Sequence, residues 1–261
     1  MAGVTVGIIA IPLAMALAIA SGVAPQYGLY TAFVAGFIIA LTGGSRFSVS
    51  GPTAAFVVIL YPIAQTYGLG GLLLATLMSG VLLIIMALMR LGRFIEYIPE
   101  SVTLGFTGGI AVVIATLQVK DFFGLSVETM PEHYWDKLAV LAQSFPALDT
   151  MSALVAVVTL AVMLTWPRLK TPVPPHLPAV VIGSLLAIWL NANGAVVETI
   201  GSRFSYLLPG GGTGAGIPPF LPEFAWPWQQ ADASGEAIGI SWDMVRELLP
   251  AAFAIAMLGA I

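Results

Sequence analysis

Gly51-Pro52-Thr53-Ala54 is the point where residue types and spacing could do chemistry in this chain. Proline suits the first position of a helix: its fixed φ fits that turn, and the N–H it lacks would have no partner there. Thr53 adds a hydroxyl, and Gly51 lets the backbone approach a ligand closely. A helix starting here presents unpaired backbone N–H groups and the positive end of its dipole. That is chemistry for holding an anion. The dipole contributes about 0.3–1 kcal/mol, and roughly 2 kcal/mol when partly buried. No fixed cation is required, which suits release as well as capture. The plain alternative is that Gly51-Pro52 merely starts a helix in a packed bundle.

Other candidate chemistry fails on spacing. His133 and His176 have no ligand partners at metal spacing, and the chain has no Cys, so no metal is expected. The run Pro209-Gly-Gly-Gly-Thr-Gly-Ala-Gly216 lacks the Gly-Lys-Ser/Thr ending of a phosphate loop and a strand before it. It reads as a flexible external loop. No nucleophile elbow and no His-Glu-x-x-His occurs, no cofactor motif is present, and no enzyme is expected.

The elements that must position the Gly51 region are membrane helices. Of 261 residues, 59% are hydrophobic and only 8% charged, and the mean hydropathy is +0.98. The net charge of −4 offers no basic field for nucleic acid. No charge occurs before Arg46, and none between Arg46 and Arg90: uncharged runs of 45 and 43 residues. A spanning helix takes about 20 residues, so each run holds two segments. Eight segments are expected: 3–21, 27–42, a third up to about 64, 69–89, 101–119, 151–166, 177–190, and one starting near 248. The third is unusual. Residues 47–50 read as an extended approach, and the run after Pro52 is only about a dozen residues, too short to span. A half-helix starting inside the membrane is the simplest reading. Residues 90–100 are amphipathic and interfacial. Residues 120–149 read as a polar loop, and a long Gly- and Pro-rich loop runs to about 242. Trp226, Trp228 and Trp242 read as interfacial aromatics. Arg46, Arg90, Arg93, Arg168 and Lys170 crowd short connections and mark the cytoplasmic side. Arg46 reads as an anchor there, and Glu96 and Glu100 as weak interfacial partners of Arg90 and Arg93.

An internal repeat is also legible. Pro12-Leu-Ala-Met-Ala-Leu-Ala resembles Pro250-Ala-Ala-Phe-Ala-Ile-Ala. Ala10, Ala14 and Ala18 form a stripe of small residues, and Ala252, Ala256 and Ala260 form another in the same phase. The two starts are seven helices apart, and an odd number inverts the second copy. Inverted repeats place transporter sites at broken helices near the bilayer midplane.

The stretch Pro25-Gln-Tyr27-Gly28-Leu29-Tyr30-Thr31-Ala32, then Phe37-Ile38-Ile39, then Gly43-Gly44-Ser45-Arg46, resembles the long motif of the SulP family (solute carrier family 26). Ser50-Gly51-Pro52-Thr53-Ala54 is similar to that family's third segment. Residues 3–30, 40–61, 94–106 and 242–261 are most similar to its bacterial members that carry C4-dicarboxylates. The resemblance implies an all-α polytopic protein, the first repeat of a seven-plus-seven inverted fold with a broken third helix. Core-domain helices one to four would occupy 1–91. An interfacial segment and gate-domain helices five to seven would occupy 92–192, with an external loop at 193–241 and the start of core helix eight at 242–261. Helices nine to fourteen and a cytoplasmic STAS domain would belong to a longer protein.

The family's chemistry carries over by position. The implied substrate is a small anion at Gly51, Pro52, Thr53 and Ala54, with Leu13, Ala14 and Leu17 beside it from helix one. Ala252, Phe253 and Ala256 are the analogous positions of helix eight. Many members have Gln just after the first-helix proline, where this chain has Leu13. An acidic side chain common on helix eight is absent from 248–261. The expected function is secondary transport of C4-dicarboxylates such as succinate, fumarate or aspartate, with bicarbonate or sulfate as the alternative. A homodimer in the bacterial cytoplasmic membrane, with a co-transported proton or sodium ion, is also implied. A partial chain holding half of the site would not transport alone.

Overall fold

The computed structural model describes residues 2–43, 51, 53–97, 99–127, 130–131, 133–208, 212–222, 224–230, 235, 237–239 and 241–260. Nine α-helices are found among them: α1 (Ala2–Ala20), α2 (Pro25–Thr42), α3 (Val57–Leu88), α4 (Glu100–Phe122), α5 (Tyr134–Ser144), α6 (Thr150–Thr165), α7 (His176–Ala192), α8 (Ile200–Arg203) and α9 (Trp242–Ala260). Four described helical stretches are long and apolar enough to cross a membrane: Pro25–Thr42, Ala54–Leu88, Glu100–Phe122 and Thr150–Leu169. The chain divides into two compact units. One joins Met1–Leu13 with Ala115–Pro219, and the other joins Ala14–Ile114 with Phe220–Ile261.

The second unit is built round a reversal. α3 is broken at Gly68, whose φ of 65° and ψ of −166° lie where side chains are not tolerated. An unbroken helix would separate Phe56 and Leu83 by about 40 Å. Both instead lie in van der Waals range of one point, the position a Cβ would take on Gly259. The two arms of α3 therefore fold back on each other, and α9 lies along both. Tyr67, at the apex, donates its hydroxyl to the Glu247 carboxylate of α9 at 3.1 Å. From Glu247 to Gly259 is about 18 Å of helix, which matches the drop from the apex to Phe56. The core between them takes Ile63 and Ala64 from the first arm, Leu72, Leu74 and Ala75 from the second, and Leu248 and Ile255 from α9. In the same unit α1 meets α2 at small residues. A Cβ on Gly28 would sit 2.1 Å from the Ala14 carbonyl oxygen, so only glycine permits the approach. α1 ends against the first arm, where Gly22 faces Tyr61, Ala64 and Gln65.

The first unit uses the same device between α6 and α7, with Gly183 against Thr159. The region expected to be a polar loop at 120–149 contains α5, a correction. α5 forms because Lys137 and Leu141, one turn apart, are both buried, and Leu141 joins Leu125 and Val127 in a small core. Tyr134 of α5 also pairs by hydroxyl with Thr116 of α4. Asp149 caps α6, accepting from the backbone N–H groups of Met151 and Ser152 and from the Ser152 hydroxyl. That hydroxyl bond foremost, with the two backbone bonds, holds its carboxyl below the ordinary carboxylate range.

The glycine-rich run read as a flexible loop is a second correction. Strands β1 (Ser205–Leu207) and β2 (Thr213–Ala215) form an antiparallel hairpin there, pairing Tyr206 with Gly214. The Tyr206 ring lies over Gly214, where any side chain would collide with it. α9 begins at Trp242, where the expected 242–261 element starts, and not near Leu248 where its uncharged run begins, because Ser241 caps the Met244 N–H and Asp243 suits the positive helix end.

Two substitutions test these elements by thermal unfolding in detergent. Gly68→Ala should cost of order 1–3 kcal/mol, because no residue with a Cβ adopts that backbone conformation easily. Asp149→Ala should cost about 1 kcal/mol at pH 7. A depressed carboxyl stabilises above its unfolded pKa and loses the effect as pH falls through its folded one. The gap to wild type should thus hold down to about pH 4 and close below it.

Candidate anion site

The foot of the first arm is where the structure puts the chemistry read from Gly51-Pro52-Thr53-Ala54. Thr53 is extended, with φ −120° and ψ 137°, and forms the N-cap of a single 3₁₀ turn, Ala54–Phe56, that runs into α3. Its Oγ1 accepts from the Ala55 N–H at 3.4 Å. The hydroxyl hydrogen points away from that bond by chemistry, since one oxygen lone pair is engaged and the O–H remains a donor. Thr53 is exposed and Ala54 half-buried. A Cβ built on Gly51 meets no atom within 4 Å, so open space borders the backbone there. Pro52 and residues 44–50, which include Ser45, Arg46 and Ser50, lie outside the described residues.

Arm lengths set the depth of this foot. The second arm, 69–88, is about 30 Å long and matches the hydrocarbon thickness of a bilayer. The first arm, 57–67, is about 16 Å long and returns from the apex only half that distance. A helix N-terminus held half-way through a membrane would leave its first N–H groups with neither water nor an upstream carbonyl. Such a terminus favours a bound anion electrostatically.

The other expected positions are spread more widely. Ala14 is buried against the backbone of α2, as the Gly28 contact requires, and so acts in packing. Leu17 is half-buried and Leu13 is 46% exposed. Ala252 and Ala256 are fully buried, on the face of α9 that carries the core residues Leu248 and Ile255. Phe253 is 54% exposed, on the other face. Since Glu247 stands at the apex and Gly259 beside Phe56, Ala252 lies level with the middle of the first arm. The α9 residue beside the foot of the arm is Gly259, which the repeat alignment passed over. The signal for it was present in the reversal: once α3 folds back, α9 must be read by level against the arm, not by phase against Pro12.

Three comparisons bear on this arrangement. The whole chain, residues 1–261, matches the sulfate permease family. It is 38% identical over 260 residues to a putative sulfate transporter, YvdB, of Bacillus subtilis strain 168, covering all of this chain and 45% of that protein. It is 29% identical over 204 residues to the bicarbonate transporter BicA of Picosynechococcus sp., covering 72% of this chain and 35% of that protein. The fold is similar to the transmembrane domain of a cyanobacterial BicA, with a TM-score of 0.77 at 27% identity over 98% of this chain and 60% of that one. The chain thus spans less than half the length of these curated relatives, which are named as transporters and not as enzymes. With its mostly helical fold, its reversed third helix and a family match along its full length, the chain belongs to the sulfate permease family, also called SulP.

Proposed function

We propose that the protein containing this chain is a secondary transporter of a small oxyanion, sulfate or bicarbonate, held at the N-terminus of the first arm of α3. One observation carries the reading: a hydroxyl-capped helix start whose arm is too short to leave the bilayer interior. Relatives named for sulfate and bicarbonate support inorganic oxyanions as the substrate class. They favour the alternative reading of the sequence over the C4-dicarboxylate one, which stands second and rests only on the sequence resemblance of residues 3–30, 40–61, 94–106 and 242–261 to dicarboxylate carriers.

The Thr53 hydroxyl and the first N–H groups of the arm donate to the anion, and the dipole adds a field without a permanent counter-charge. Release is then no harder than capture. The division into core helices 1–91 with 242–261 and gate helices 92–192 is part of the same proposal. So are elevator-type alternating access, a homodimer, residence in the bacterial cytoplasmic membrane, and a proton or sodium ion moving with the substrate. The chain does divide into two compact units, although residues 1–13 group with the gate helices and 92–114 with the core ones.

Uptake by vesicles holding the full-length protein separates the substrates. Labelled sulfate or bicarbonate should accumulate and unlabelled succinate should not compete; competition by succinate alone would install the dicarboxylate reading instead. At the site, Thr53→Val removes a donor to a charged group, a loss of about 1.5–3 kcal/mol. The apparent KM should rise roughly tenfold or more, while Thr53→Ser, which keeps the hydroxyl, should stay near wild type. An unchanged KM in Thr53→Val would remove Thr53 from the site.

A further inference from the structure

The segment between the two-stranded hairpin and α9 is neither spanning nor free. Tyr30 of α2 donates its hydroxyl to the Phe220 carbonyl at 3.1 Å. The other end is closed by Ile238 N–H to Gln230 O and Gly239 N–H to Trp228 O, both 3.0 Å. Ile238 rests beside Gly71, with its Cδ1 3.4 Å from where a Cβ would stand. The segment is therefore a closed strap seated on the apex end of α3.

Its depth follows from that seat. Gly71 is two residues into the second arm, whose length matches the hydrocarbon thickness, so it lies about 3 Å inside the apolar boundary. The strap lies at headgroup level by contact. There it carries a row of rings: Phe224 meets Trp226 edge-on at 5.1 Å, and Trp226 stacks on Trp228 at 4.7 Å. No charge occurs from Phe224 to Gln230. Leu221 and Phe224 are more than four-fifths exposed, and Trp226 nearly half. Held at this level, they meet headgroups and upper acyl chains, the environment that rings with an apolar body and a polar edge prefer.

We propose that the strap is a lipid anchor: Leu221, Phe224 and Trp226 insert into one leaflet of a phospholipid bilayer beside the apex end of α3. The occupant is the bilayer itself, because the strap sits on a helix long and apolar enough to cross a membrane and leaves Leu221 and Phe224 exposed there. This inference concerns the strap alone and does not depend on which anion is carried.

The test uses the full-length protein, freed of any cysteine, in phosphatidylcholine–phosphatidylglycerol vesicles. Leu221→Cys and Phe224→Cys are each labelled with an environment-sensitive nitrobenzoxadiazole dye. Blue-shifted emission is expected, quenched several-fold more by lipids brominated near the headgroup than by lipids brominated deep in the chain, and little affected by aqueous iodide. Quenching by iodide with none by bromolipids would overturn the proposal, because the strap would then face water. Indifference to both quenchers would equally overturn it, since protein would then cover the strap. Should the labelled variants fail to fold, the intrinsic fluorescence of the unmodified protein serves. Shallow bromolipids should quench a larger fraction of it than in Trp226→Phe, and an equal fraction would count against the anchor.

Discussion

A chain in lipid must satisfy its own backbone, and the reversal at Gly68 is where this protein meets that constraint. A helix can stop inside a bilayer only if something else receives its exposed groups. The first arm of α3 runs from its start after Thr53 to an apex, and Gly68 turns the chain back in one residue. That corner leaves the first arm about half as long as the second. It also creates a two-armed surface for α9, and Leu248 and Ile255 complete the core on it. The candidate site, the packing of the second unit and the seat of the strap all follow from one backbone conformation.

Close approach between helices is the second theme, and both units solve it in one way. Lipid tails are as apolar as leucine, so hydrophobic burial does little to draw spanning helices together. Shape has to do it. Gly28 admits the Ala14 carbonyl, and Gly183 admits the Thr159 side chain. The side chains left facing outward, such as Phe33 and Phe37 of α2 and Leu185 and Ile188 of α7, are large and apolar, as a lipid surface demands.

Much of this was legible in the residues. Two uncharged runs with Gly and Pro at their breaks located six of the helix ends within a few residues, and Gly51-Pro52-Thr53 marked a helix start, although Thr53 is the N-cap and the first helical position falls at Ala54, not at Pro52. Three features were not legible, each for a physical reason. α5 is short and carries Asp136 and Lys137, so its composition reads as a loop; only the burial of Lys137 and Leu141 makes it a helix. The hairpin depends on the fit of one ring over one glycine, which no periodicity reports. Gly259 gained its place beside Phe56 from a tertiary reversal. Sequence phase, by contrast, pointed to Ala252 and Phe253, one of which lies in the core and the other on the surface.

The pairing of α3 with α9 also has a consequence in time. The hairpin is complete when Leu88 has been made, yet the helix that fills its core starts at Trp242, after all of the first unit. At roughly 5–20 residues per second, the ribosome needs on the order of 10–30 s to cover that gap. During it the bent helix must persist in the membrane with its inner face unfilled. The second unit, though residues 14–114 of it precede the larger part of the first, is finished last, and its assembly is a long-range event of the kind that limits folding rates.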